Sequence, residues 1–125
     1  MTQRTILIIA SITGFLSVAI GAFGAHALKA VLTANNRLET FELASRYQFY
    51  HALALCFVGL LAEKFPGMGT SAIFFLAGII IFSGSLYALS LTNQTWFGAI
   101  TPIGGICLLI GWGYLGWAIY KNSNQ

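Results

Sequence analysis

Apolar stretches long enough to form membrane-crossing helices recur along the chain, divided by three short polar breaks. No residue between Arg4 and Lys29 is charged. Thr5 to Leu28 makes roughly 36 Å of helix at 1.5 Å per residue, enough to cross a hydrocarbon core of about 30 Å. The first break, Lys29 to Asn36, is polar to mixed. Asn36 followed by Glu39 has the spacing of a capping box, which predicts a helix start at Asn36. From Arg37 to Arg46 the pattern is amphipathic, with Leu38, Phe41 and Ala44 about one turn apart and Arg37, Glu39, Glu42 and Arg46 around them. Glu42 and Arg46 form an i,i+4 pair of the favourable orientation. The uncharged run that follows, Tyr47 to Ala62, is short for a span. One continuous helix repairs this, with its first turns at headgroup level, Arg46 snorkelling, and Tyr47 and Tyr50 in the aromatic belt.

Glu63-Lys64-Phe65-Pro66-Gly67 is the second break, where proline and glycine stop the helix. No charge then occurs until Lys121, a run too long for one span, and Thr92-Asn93-Gln94-Thr95 is its only polar cluster. That cluster predicts a turn between a third helix, 70–91, and a fourth, 102–120. Thr101 is placed as N-cap and Pro102 as the first helical residue. Trp96 and Phe97 are expected at one interface, Trp117 and Tyr120 at the other. The predicted fold is all-α: a four-helix transmembrane bundle with an amphipathic interfacial segment leading into helix two. It forms a single integral membrane domain, 1–125, with spans 5–28, 40–62, 70–91 and 102–120.

Composition agrees. The chain has 125 residues, of which 58% are hydrophobic and 7% charged, against about 25% charged in a soluble domain. So few charges cannot cover a water-facing surface. A net charge of +3 with no basic stripe gives no footprint for nucleic acid, and none is expected as a partner. Cys56 and Cys107 lie in apolar runs and read as reduced, buried thiols. Ala25-His26-Ala27 fits a signal-peptidase pattern, but the preceding run exceeds the usual signal core and the rest of the chain is equally apolar, so an uncleaved span is expected. Basic residues divide almost evenly: Arg4, Lys64 and Lys121 on one side, Lys29, Arg37 and Arg46 on the other. The reading adopted places the protein in the cell (cytoplasmic or inner) membrane as a multi-pass protein, with both termini in the cytoplasm.

Four motifs, in order along nearly the whole chain, carry a resemblance: Gly21-Ala-Phe-Gly-Ala-His-Ala-Leu28, Tyr47-Gln-Phe-Tyr-His-Ala-Leu53, Phe82-Ser-Gly-Ser-Leu-Tyr-Ala-Leu89 and Thr101-Pro-Ile-Gly-Gly-Ile106. Together they resemble the DUF423 family of small membrane proteins. The resemblance implies a four-span integral membrane protein. It implies no established activity, substrate or catalytic residue.

The candidate chemistry is sparse. His26 ends helix one and His51 lies inside helix two, at ends expected on the same membrane face. A polar cluster of His26, Glu42, Arg46, Tyr47, Gln48 and His51 is therefore the candidate ligand-binding site. The competing structural reading is an interhelical hydrogen-bond cluster, and it is the one preferred here. No catalytic set, metal site or cofactor fingerprint is present in a usable context. Small residues form stripes: Gly14, Ser17, Gly21 and Gly24 on helix one, Gly78, Gly84 and Ser85 on helix three, Gly104 and Gly111 on helix four. In lipid such stripes let helix backbones approach. The function expected is structural or accessory, exerted through the lipid bilayer, a homo-oligomer or another membrane protein. A small transporter or channel, or a membrane-embedded enzyme, are the alternatives.

Overall fold

The structure is a computed structural model and describes residues 1–122, so the last residues of the expected single domain lie outside the described ones. All regular structure among the described residues is helical. We number five helices: α1, Gln3–Ala27; α2, Lys29–Ala34; α3, Leu38–Leu61; α4, Met68–Thr92; and α5, Phe97–Lys121. α1, α4 and α5 are long and apolar enough to cross a membrane. α3 matches them in length but carries Glu39, Glu42 and Arg46 in its first turns.

The long helices alternate in direction. α3 is central and packs on α1 and α4, and α4 packs on α5. Paired positions give the register. Gly59 faces Leu7 and Gly24 faces Phe41 across α1–α3, while Gly111 faces Phe75 across α4–α5. The interior is divided along the bundle. Toward the end holding the α3–α4 connection it is apolar, with Ile6, Leu55, Val58, Met68 and Phe75 buried together. Toward the other end it is hydrogen-bonded, through Thr13, Ser17, Gln48, Ser83, Ser85 and Ser90. The outside is the reverse: Phe15 and Phe23 are each 75% exposed and Leu109 71%. An apolar exterior with the polar side chains bonded inside is the arrangement lipid favours, because a polar group in hydrocarbon must find its partner within the protein.

Two helix starts differ from the sequence expectation. Asn36 does not cap α3. It adopts a left-handed conformation at φ 55° and closes α2, with Arg37 N–H bonding Leu32 O at 2.9 Å and Asn36 N–H bonding Thr33 O at 3.0 Å. This is a Schellman closure, and asparagine tolerates its left-handed position. α3 then starts at Leu38 without a side-chain cap. Likewise Pro102 is not the first residue of the fourth long helix. α5 starts at Phe97, and Pro102 lies inside it. Proline has no N–H, so the carbonyl of Gly98, four residues before it, lacks its usual helical donor. Thr101 is engaged laterally instead, with Ser85 of α4 at 2.6 Å. α1 and α4 each contain a π-helical turn, Ala19–Gly24 and Ile79–Ser83, that no apolar pattern announced.

The ends are tied. Asn35 Nδ2 donates to Ser90 O at 3.0 Å, and Arg37 Nε donates to Asn93 Oδ1 at 3.0 Å. The α2–α3 connection and the α4–α5 turn therefore share one face of the bundle. At the other face Gly67 starts α4 at φ 99°, a left-handed backbone that suits glycine.

Candidate functional site: a hydrogen-bonded interior

The polar residues singled out in the sequence fall into separate places. His26 is exposed on the last turn of α1. Gly24, two residues before it, faces Phe41 of α3, and His51 lies ten positions further along α3, about 15 Å away at helical rise. The two histidines are therefore not neighbours. Their separation follows from register: helix one is antiparallel to α3, so its last turn meets the first turn of α3.

Glu42 and Arg46 pair at 3.5 Å on the outer side of α3, Arg46 exposed and Glu42 half-buried. Tyr47 and His51 face the other way, toward α4 and α5. Gln48 points between them, into the interior, and is 6% exposed. One α3 stripe thus serves three surroundings, because successive positions on a helix are about 100° apart.

Gln48 connects three helices. Its Nε2 donates to Thr13 O of α1 at 3.0 Å, and its Oε1 accepts from the Tyr87 hydroxyl of α4 at 2.6 Å. Serines extend the set. Ser17 Oγ donates to Ser45 O at 2.8 Å and Ser45 Oγ returns the bond to Ser17 O at 3.3 Å, joining α1 to α3. Ser83 Oγ donates to Ala44 O at 2.8 Å, joining α4 to α3, and Ser71 Oγ donates to Gly111 O at 2.8 Å, joining α4 to α5. Serine suits this role: it is small enough for close helix packing, and its hydroxyl reaches a neighbouring carbonyl.

His51 completes the set toward α5. Its Nδ1 is 2.7 Å from Tyr47 O, and its Nε2 accepts from Trp112 Nε1 at 3.1 Å. A carbonyl can only accept and an indole N–H can only donate, so Nδ1 carries the hydrogen and Nε2 is bare. The ring is neutral and both nitrogens are used. Phe75 and Trp112 pack edge-on at 5.1 Å beside it. Above this pair α3 and α5 diverge around a cleft of about 550 Å³, lined by Tyr47, Tyr50, Phe82, Ile106 and Leu109.

The small residues have different surroundings. A Cβ at Gly104 would collide with the Phe82 backbone, and one at Gly78 with Leu108. Gly21 meets Ser45, Gly24 meets Phe41, and Gly14 is in ordinary contact with Ala52 at 3.8 Å. Gly84 differs from the expectation of a packing position: nothing lies within 4 Å of its would-be Cβ. Gly59, against Leu7 and Ile6, was not in the predicted stripes. Nor were Thr13, Tyr87 and Trp112 among the predicted polar residues. Trp112 alone carried a signal, as the one tryptophan away from the expected interfaces. Among the described residues no three His, Cys, Asp or Glu converge as metal ligands would.

Comparison with known proteins places the chain among proteins named as membrane proteins. No solved structure matches the chain. Residues 20–105 match the family described as Protein of unknown function (DUF423). The chain is 41% identical over 113 residues to the UPF0382 membrane protein YwdK of Bacillus subtilis, covering 88% of this chain and 91% of the relative. It is 37% identical over 114 residues to the UPF0382 inner membrane protein YgdD of Escherichia coli K12, covering 90% and 86%. With its apolar helices, this makes it a multi-pass membrane protein, and the chain belongs to the DUF423 family.

Proposed function

We propose that the protein is a four-span membrane bundle with a structural or accessory role, acting through lipid or protein contacts on its outer surface. α3 is the fourth span in this reading. It is about 36 Å long, like its neighbours, and it packs between α1 and α4, so it shares their depth. Its first turns reach the headgroup layer, which accommodates Glu39 and Glu42. The termini face the cytoplasm, with Arg4, Lys64 and Lys121 on that side.

One observation carries the structural role. Among the described residues every buried side-chain nitrogen and oxygen has a hydrogen-bond partner within the protein. A binding pocket or proton path needs polar groups with capacity to spare, whereas here Gln48, His51, Ser17, Ser45, Ser71 and Ser83 bond across to neighbouring helices. Gln48→Ala tests this. In detergent the variant melts well below wild type if Gln48 is a structural tie. Unchanged melting, together with a lost cellular phenotype, would place Gln48 in a ligand site and defeat the proposal.

A further inference from the structure

The outer side of the α1–α3 seam carries a continuous groove. A notch of about 290 Å³ is lined by Gly21, Ala25, Phe41, Glu42, Ser45 and Arg46. A second section of about 260 Å³ shares Gly21, Ser45 and Arg46 with it and adds Val18, Phe49 and Tyr50. A third section of about 570 Å³ shares Val18 and Phe49 and runs past Phe15 and Leu53 to Cys56. From Phe41 to Cys56 the groove follows about 22 Å of helix, somewhat more than the half of a 30 Å hydrocarbon core that one leaflet occupies.

The groove is polar at one end only. Its charged end also lies at the right depth for a lipid headgroup. Glu42 is one turn from the start of α3 at Leu38, and the Arg46 side chain meets it at 3.5 Å. α3 exceeds the hydrocarbon core by about 6 Å, so with its start in the headgroup layer Glu42, about 6 Å along it, stands at the edge of that layer and the Arg46 backbone about one turn deeper. Side chains on a helix lean toward its N-terminus, which brings the Arg46 guanidinium toward that layer. Arg46 and Glu42 remain 61% and 44% exposed, an acid and a base side by side with open faces.

We infer that this groove holds one glycerophospholipid with a zwitterionic, primary-amine headgroup. The Arg46 guanidinium receives the phosphate, the Glu42 carboxylate receives the ammonium, and one acyl chain lies along Val18, Phe49 and Leu53. The inference rests on the membrane reading above and names the lipid through which the bundle acts. An anionic headgroup would leave Glu42 facing unbalanced negative charge, and a quaternary amine could not donate a hydrogen bond to it.

Native mass spectrometry of the full-length protein, with equimolar phosphatidylethanolamine, phosphatidylglycerol and phosphatidylcholine added, tests this. Wild type should retain one phosphatidylethanolamine with about tenfold preference over the other two, the size of one charge-assisted hydrogen bond. Glu42→Gln should erase that preference. Arg46→Gln should weaken retention of all three lipids. Val18→Trp should fill the channel and lower all three while keeping their ratio. Arg46 and Val18 are exposed and Glu42 is half-buried, and unchanged melting of the variants confirms that they still fold. Equal retention of the three lipids by wild type, a preference that survives Glu42→Gln, or a lipid-free species of two copies would each overturn the inference. None of those results would touch the structural proposal, which stands or falls on the buried Gln48.

Discussion

The Tyr87 hydroxyl of α4 donates to the Gln48 side chain of α3 at 2.6 Å, and the same side chain reaches on to Thr13 O of α1. One residue thus holds three helices at mid-bundle. Interhelical hydrogen bonds in membrane proteins contribute about 0.6 kcal/mol each on average, and leaving a buried partner unsatisfied costs about 1–3 kcal/mol. Gln48→Ala removes both bonds and takes the Gln48 acceptor from the half-buried Tyr87 hydroxyl, so it should destabilise the bundle by about 1–3 kcal/mol, read by thermal or denaturant unfolding in micelles. Gln48→Ala combined with Tyr87→Phe should cost less than the sum of the two single changes, because both remove the same Tyr87–Gln48 bond.

Gly104 and Gly84 make a matched contrast. A methyl group at Gly104 would strike the Phe82 backbone, which cannot swing aside as a flexible side chain could. Gly104→Ala should therefore part α4 from α5 and cost about 1–3 kcal/mol. Gly84 lies in a helix with open space around it, so Gly84→Ala should stabilise by about 0.5–1 kcal/mol through reduced unfolded-state entropy. The two variants should shift the melting temperature in opposite directions.

The His51–Trp112 bond joins α3 to α5 where those helices otherwise diverge. A double-mutant cycle with His51→Ala and Trp112→Phe should give a coupling energy of about 0.6 kcal/mol, the scale of such bonds in membranes. Trp112 is 48% exposed beside the ring. His51→Ala should change its emission, which can be isolated in a background where Trp96 and Trp117 are phenylalanine. A coupling near zero would show that the contact adds nothing to stability.

Topology is open to direct labelling. In a background with Cys56 and Cys107 replaced by serine, single cysteines at Lys64 and Asn93 should react with impermeant reagents from opposite sides. Cysteines at Lys29 and Asn93 should react from the same side, since Arg37 and Asn93 tie those connections together. If α3 did not cross, Lys29 and Lys64 would label from one side and Lys29 and Asn93 from opposite sides, since α4 still separates Lys64 from Asn93.

Much of the architecture was legible in the chain because the bilayer imposes a coarse rule: an uncharged run of sufficient length becomes a helix, and breaks such as Glu63 to Gly67 end it. The candidate site was less legible. The expected cluster joined His26 to His51 on the argument that both lay near one membrane face. That argument located helix ends but not depth along α3, and register put about 15 Å between them. Asn36 and Thr101 illustrate a different gap. Each has the residue type of an N-cap, but a left-handed closure of α2 engages one and a lateral bond to Ser85 the other. Local pattern supplies the capacity to bond; the partner comes from elsewhere in the chain.

Composition and charge spacing alone therefore determined that this is a helical membrane protein and where its long helices run, because hydrophobic length is a property of contiguous residues. Only the tertiary structure decided what the polar residues do. The pairing of Gln48 with Thr13 and Tyr87, of His51 with Trp112, and of Gly104 with Phe82 joins positions far apart in sequence. It depends on how antiparallel helices slide and rotate against one another. That register, shifted further by two π-helical turns, is set by packing summed over the whole bundle and leaves no mark in any single stretch.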